Sequence, residues 1–561
     1  MDTPFSQATR AHDLAAMARE PVDLLVIGAG SAGAGIARDA AMRGIRTALI
    51  DKGDFGSGTS SRSSRLIHGG LRYLELYDWR LVFEASRERR TLLRIAPHLV
   101  WPRSFLFPIY AGGRVSWWKL ATGLWLYDAL ALFRNVKAHR MLGKRALARA
   151  EPGLRDRGLK GGARYYDAQC DDVRLTLANV RSARAHGALT ANYAQLEQLE
   201  LADGRVRGGR VTDLVTGDSF TIRALVVVNA TGPWSDHTRS LAGSPPTLRR
   251  TKGTHIVVPR ERLGHQEALT LTSPIDGRIM FVVPWGNLSY VGTTDTDWEG
   301  DPDSVAPDAD DVVYLLRSAN AFFPNARLQP EDVVSAWAGL RPLLDQASAQ
   351  NPSAVSREHR IEEGRAGLIS VLGGKLTTYR SMAEETVDLV LERLSGLDGR
   401  AAHAPCRTAR ESLPGGEVTD LEMIIRDAER EGISRELADR LARLYGSETP
   451  AIIRLAQADA SLAAPVVPGY PAIKAELVHS LRREMAVTLA DLLIRRTHLF
   501  YEVTGHAAAE AQAIADLAAR ELGWDAERKA AEVAAYLEHV RRGDAFRVTL
   551  REMFARRSSA S

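Results

Sequence analysis

The sequence predicts an α/β protein in which a Rossmann-like domain is interleaved with an antiparallel-sheet domain, and a C-terminal α-helical domain follows. Three observations predict this. The stretch "VDLLVIGAGSAGAGIARDAAMRGIRTALIDKGDF", Val22 to Phe55, reads strand, glycine turn, helix and strand. Between Gly253 and Thr294, "THIVVP", "EALTLTS", "RIMFVVPW" and "LSYVGTT" are short β-rich runs separated by turn residues, as in an antiparallel sheet. Beyond residue 410, "LEMIIRDAEREG", "RELADRLARLYG", "AELVHSLRREMAVTLADLLIRR" and "AAEAQAIADLAARELG" carry apolar residues at helical spacing.

The first unit assigns a job to each of its residues. Val22 to Ile27 is a buried parallel strand; Gly28 makes the tight turn after it, Gly30 lets backbone approach a pyrophosphate, and Gly33 lets helix pack on strand. The helix N-terminus faces phosphate charge, and Asp51, 18 residues after Gly33, ends the second strand where it can accept hydrogen bonds from a ribose. Ala29 and Lys52 flank these positions. The unit is a dinucleotide site. Two later strands run into turns of the same kind, "ALVVVNATGPWSD" with Ala230, Thr231 and Gly232, and "GLISVLGGKLTTYRSMAEE" with Gly374, Lys375, Leu376 and Thr377. All three reach the carboxyl edge of one sheet, where one long cofactor could touch them. A flavin dinucleotide fits better than a nicotinamide one, because the last turn aims a helix N-terminus where it can stabilise an anionic reduced ring.

Bulk composition excludes several classes. The 561 residues are 45% hydrophobic and 25% charged, which rules out a disordered or collagen-like chain. The 73 basic and 69 acidic residues leave +4, too little and too evenly spread to argue for nucleic acid, although compatible with an anionic membrane surface. Cys170 and Cys406 are the two cysteines, and they form neither a disulfide framework nor a metal-ligand spacing. Residues 1–20 mix charges throughout and read as a helical or frayed extension rather than a signal peptide. No run of about 18 uncharged apolar residues occurs. "VSWWKLATGLWLYDALALFR", Val115 to Arg134, mixes tryptophans with charges, as would either a helix lying in a membrane interface or an ordinary core-packed helix.

The blocks "IGAGSAGAGIARDAAMRG", "TSSRSSRLIHGGLRYLE", "VNATGPW", "KGTHIVVP", "VVPWGNLSYVGTTDTD", "GLRPLLD" and "LGGKLTTYR", in this order from Val22 to Arg380, resemble the FAD-dependent glycerol-3-phosphate dehydrogenase family. "LPGGE" and "ARLYGS" continue the resemblance more weakly. It implies the fold of the glycine oxidase and D-amino acid oxidase group, with FAD as cofactor. It implies oxidation of sn-glycerol 3-phosphate, with electrons passing to a membrane quinone. It also implies a homodimer resting peripherally on the cytoplasmic face of the cell membrane. By the same resemblance Thr59, Ser60, Ser61 and Ser64 line the FAD, His68 and Gly69 lie against the flavin, and Arg72 and Tyr73 face the substrate.

A phosphorylated substrate needs cations, and the candidates besides Arg72 are Arg341, Arg357 and Lys375. Alcohol oxidation also needs a base for the hydroxyl proton; His255 ranks first, with His68 mainly positional. Arg341 and Lys375 would also polarise the developing oxyanion. No metal set is visible. Three rival readings stand beside this one: an oxidase handing electrons to O2, which would keep every one of these residues; a hydroxyacid or amine oxidase of the same fold, which would need a carboxylate clamp instead; and an FAD-bearing sensor without turnover, against which the cationic cluster argues. The expected domains are a cofactor domain over 21–75, 160–250 and 345–400, and a substrate domain over 76–159 and 251–344. A linker over 401–410, a helical cap over 411–545 and a loose basic tail over 546–561 complete the chain.

Overall fold

The structure is a computed structural model that describes residues 4–70, 79–132, 134–345, 359–364, 366–398 and 403–559. Val22–Ile27, buried along its whole length, is the centre of the first sheet. Thr47–Ile50 pairs with it in parallel on one side and Ser219–Asn229 on the other. Leu189–Ala191 and Ile369–Gly373 extend the parallel pairing outward. The strands that end in Ile27, Asn229 and Gly373 are therefore neighbours, and their three glycine turns share one edge. Helices on both faces explain why these strands read as unbroken apolar runs. Ser31–Met42 packs closely because its contact positions are small: a Cβ on Gly35 would stand 3.0 Å from the Tyr379 ring.

The second sheet contains the predicted run of strands, Leu248–Pro259, Ala268–Thr272, Ile279–Trp285 and Leu288–Gly292, with Ser335–Leu344 paired antiparallel to the first of them. Val100–Tyr110 joins this sheet in parallel to Ala268–Thr272, so the sheet is mixed rather than wholly antiparallel. Leu159–Cys170, assigned above to the cofactor domain, instead pairs with Val100–Tyr110 from Leu159 to Cys170 and carries the short strand Leu66–Ile67 on its other edge. Both segments belong to the second sheet. Their extended character does not name a sheet, and the partner strand decides.

Both chain termini are helical, the first as one of the two expected readings and the last against the expectation of a loose tail. Residues 7–19 form a helix docked on the first sheet, with Phe5, Leu14 and Met17 buried. Arg10 donates to the Asn192 carbonyl at 2.9 Å and pairs with Asp213, while Asp13 accepts from the Thr190 amide at 3.0 Å. The tail is the helix Ala545–Ser559, whose Phe546 and Leu550 enter the core beneath the second sheet. The linker is strapped across the glycine-rich helix, where buried Arg38 donates to the carbonyls of Thr408 and Glu411 at 3.3 and 2.8 Å.

The helical domain is not a separate cap. Leu477, Leu481, Leu493 and Ile514 share one hydrophobic core with Phe105, Tyr165, Val257 and Trp337 of the second sheet. The run from Ala475 to Arg496 is also two pieces rather than one helix. Lys474–Arg483 stops at Glu484, Met485 turns the chain with φ +49°, and a wide helical turn follows over Asp491–Arg496.

Candidate active site

A cavity of about 1740 Å³ follows the carboxyl edge of the first sheet onto the face of the second. An ordinary small-ligand pocket holds roughly 300–1,000 Å³. The space therefore suits a long cofactor and a substrate together.

At one end, Gly28 has φ +99°, and a Cβ there would stand 2.6 Å from the Ala230 carbonyl. Gly33 supports the turn from behind: a Cβ on it would collide with the Gly28 carbonyl oxygen. Gly30, Ser31 and Ala32 bring the helix N-terminus to the cavity wall, and the Ser31 amide donates to Ser60 Oγ at 2.9 Å. The Asp51 carboxylate accepts from the amides of Ala29 at 2.6 Å and Gly53 at 2.9 Å. Burial nevertheless pushes its pKa up to about 6. The cradle thus offers a close backbone approach, a helix dipole and a carboxylate in sequence, which fits the pyrophosphate and ribose of FAD.

At the other end, His255 stands on Leu248–Pro259 and stacks on Trp337, with centroids 4.9 Å apart and planes 14° apart. Its Nε2 lies 2.9 Å from Ser64 Oγ, and Nδ1 has no hydrogen-bond partner among the described residues. Burial, then the charges of Arg341 and Arg65, lower its pKa to about 3, so the ring is neutral across the physiological range. Room for the imidazole comes from Gly292, where a Cβ would overlap it. Arg341, on Ser335–Leu344, donates to Asp295 Oδ1 at 3.0 Å, Thr293 Oγ1 at 2.9 Å and the Thr294 carbonyl at 3.2 Å. A side chain on Gly253, on the adjacent strand, would collide with that guanidinium. Lys375 lines the cavity from the opposite sheet, just before the turn Leu376–Thr378.

The structure brings most of the expected residues together and moves some. Thr59, Ser60, Ser64, His68, Ala230, Thr231, Gly232, Gly374, Leu376 and Thr377 line the cavity. Lys52 also lines it, but its ammonium is engaged by Asp303 at 2.5 Å and lies 4.6 Å over the Trp234 ring. Ser61 is turned into the protein and donates to the Gly58 carbonyl at 3.3 Å. Gly69 sits behind the wall, its amide donating to Asp167 at 3.1 Å, and a Cβ on it would collide with the Tyr127 hydroxyl. Arg72, Tyr73 and Arg357 lie outside the described residues. Sequence reasoning missed Trp337, and it missed Arg65, which lies 4.0 Å over the Trp285 ring and beside Asp172. It also missed Arg495, a cavity residue from the helical domain in a run without any motif. Arg65 could have been found, since it follows Ser64 within the block "TSSRSSRLIHGGLRYLE"; Trp337 and Arg495 lie outside the motif blocks and acquire their places from distant elements.

This fold and cavity define an FAD-dependent oxidoreductase. A family model described as "FAD dependent oxidoreductase" matches residues 23–380, and one described as "C-terminal domain of alpha-glycerophosphate oxidase" matches residues 406–529. The aerobic glycerol-3-phosphate dehydrogenase of Staphylococcus aureus strain USA300 is 36% identical over 550 residues, covering 96% of each chain. The structure of the Bacillus halodurans glycerol-3-phosphate dehydrogenase complexed with FAD superimposes with a TM-score of 0.80 at 33% identity, covering 96% of this chain and 98% of that one. A Geobacillus kaustophilus glycine oxidase shares the fold at a TM-score of 0.51 and 21% identity, covering 68% of this chain and 96% of its own. The chain belongs to the FAD-dependent glycerol-3-phosphate dehydrogenase family.

Proposed function

We propose that the protein oxidises sn-glycerol 3-phosphate to dihydroxyacetone phosphate and delivers the electrons to a membrane quinone. The observation that carries this reading is a single cavity with the dinucleotide cradle at one end and neutral His255 with Arg341 and Lys375 at the other. Bound FAD supplies a two-electron acceptor. His255 takes the C2 hydroxyl proton as the carbonyl forms; a histidine already protonated could not do so. The hydride lost from C2 carries both electrons, and this proton completes the loss of two hydrogens from the alcohol. Arg341 and Lys375 hold the phosphate and stabilise negative charge on the reacting oxygen. Asp295 offsets part of the Arg341 charge, so a dianionic phosphate calls for further cations, and Arg72, Arg357 and the Tyr73 hydroxyl are proposed for that role by resemblance. Thr59, Ser60, Ser64, His68 and the turns at Ala230 to Gly232 and Gly374 to Thr377 are proposed to hold the cofactor.

The test is anaerobic mixing of the purified protein with sn-glycerol 3-phosphate while the flavin absorbance is followed. Bleaching is expected, then recovery on adding a soluble quinone, with slow recovery under O2. Equally fast recovery under O2 with peroxide formation would make the protein an oxidase. Bleaching by glycine or lactate instead would move the substrate class.

The quinone reading is supported by the helix Trp117–Leu130. Trp118 and Trp125 on it are 79% and 60% exposed, the helix Trp79–Ile95 packed against it carries the exposed Trp79 and Phe83, and Leu120 and Leu126 line the cavity. No helix among the described residues is long and apolar enough to cross a membrane. This face is proposed to rest on the cytoplasmic membrane surface, because tryptophan favours the boundary between lipid and water. Replacing Trp125 and Phe83 together by serine is expected to weaken sedimentation with anionic vesicles by about tenfold or more, since each ring removes its share of buried apolar area. Unchanged sedimentation would place the contact elsewhere.

A further inference from the structure

The loop after the ribose carboxylate, residues 51–58, lies between two bodies of the protein. On the inner side the Gly56 amide donates to the Ala29 carbonyl at 3.0 Å, and the Gly53 carbonyl accepts from the Tyr193 amide at 2.9 Å. On the outer side the loop meets the helical domain through Asp54, which is 1% exposed. Arg496 grips the Asp54 carboxylate with two bonds of 2.7 and 3.0 Å, Arg495 Nε adds a third at 2.6 Å, and Asn192 a fourth at 2.9 Å. Arg495 is held from below by Asp491, which also accepts from the Tyr193 hydroxyl at 2.6 Å and from the amides of Val487 and Thr488. Arg495 reaches the cavity wall as well.

We infer that the helical domain is a working part of the cofactor site, with Arg495 and Arg496 as positioning residues that hold loop 51–58 through Asp54. The inference rests on the reading of Asp51 as the ribose contact of FAD. Its chemical logic is one of cost. Burying two guanidiniums and two carboxylates sacrifices hydration that an apolar contact would not, and apolar substitutes often match or exceed the stability of such a cluster. What the ionic clasp supplies is direction: a bidentate arginine fixes a carboxylate in plane and in distance. Here the fixed carboxylate is three residues beyond Asp51, in the loop whose amide at Gly53 holds the Asp51 side chain. Although burial raises it, the two arginines bring the Asp54 pKa down to about 2, so the carboxylate is ionised across the physiological range. The coupling is reciprocal: if the clasp favours the bound form of the loop, cofactor binding tightens the clasp by the same factor.

ADP, the adenosine and pyrophosphate half of the cofactor, is the probe that isolates this end of the site. Titrating ADP and FAD into the apoprotein should show both bound about 5–150-fold more weakly by Arg495→Met and Arg496→Met than by wild type. Arg495→Lys, which keeps charge but not the fork, should recover part of the loss. Tyr193→Phe removes only the hydroxyl beneath Asp491 and should weaken ADP by about 2–10-fold without threatening the fold. In the wild type, ADP should slow amide hydrogen exchange over 487–497 more than over 421–445 of the same domain. Wild-type ADP affinity in a folded Arg495 or Arg496 variant overturns the inference. If those variants do not fold, wild-type affinity in Tyr193→Phe together with unchanged exchange over 487–497 overturns it. Failure of the wild type to bind FAD or ADP would sink the underlying ribose reading instead.

Discussion

Replacing Arg341 by alanine is expected to lower kcat/KM for sn-glycerol 3-phosphate by about 10²–10³-fold while the protein stays yellow. The guanidinium is held by Asp295, Thr293 and Thr294 in one orientation, so in the proposed role it would meet substrate without further reorganisation. Such a preset donor acts on charge that grows in the transition state as well as on bound phosphate, so kcat should fall and KM should rise together. The cofactor cradle lies at the other end of the cavity, which is why FAD content should not change. Steady-state kinetics with flavin counted per chain decide the matter. A variant that loses its flavin would show that Arg341 maintains the fold or the cofactor rather than the substrate. Gly253→Ala offers a second route to the same result, since the added methyl would push the guanidinium aside without removing its charge.

Gly33→Ala is expected to give a protein purified without flavin. Gly33 lies in the first turns of a helix, where alanine is intrinsically the better residue by about 1 kcal/mol. Propensity alone therefore predicts a gain in stability. The geometry predicts the opposite, because the added methyl would collide with the Gly28 carbonyl oxygen and meet the Ala230 Cβ at 3.3 Å. The strain falls on backbone rather than on a flexible side chain, so relief requires the helix to lift off the turn that receives the pyrophosphate. Flavin absorbance of the purified variant and its FAD titration give the readout. Wild-type occupancy would mean that the turn adapts and that close helix contact is not what shapes the cradle.

The parts of this protein that could be read without coordinates are those set by neighbours in the chain. The βαβ unit announces itself because strand, glycines, helix and terminal acid follow one another within about thirty residues, and each restricts the backbone locally. Val22–Ile27, Ser31–Met42 and Asp51 accordingly stand where the pattern puts them. His255 and Lys375, which border the cavity, could be singled out as candidates because they sit in motif blocks close to glycines, and Arg341 because it precedes a recognisable "PLLD".

The last helix was misread as a loose tail, and the first could be read only as a helical or frayed extension, because the burial of Phe5, Met17, Phe546 and Leu550 depends on surfaces supplied from elsewhere. Leu159–Cys170 went to the wrong sheet for a related reason: strand propensity fixes that a segment is extended, whereas its hydrogen-bond partner, Val100–Tyr110, is chosen in space. The clasp at Asp54 is the extreme case. Its aspartate and its arginines are more than 400 residues apart in sequence, and each alone looks like an ordinary surface charge. Chain order determined the turn that receives the cofactor, since its constraints are steric and local. Tertiary structure alone decided which distant charges would be buried against the loop beside that turn, because an ion pair has no preferred separation along the chain and its desolvation is repaid only where folding supplies close geometry and further hydrogen bonds, as Asn192 does at Asp54.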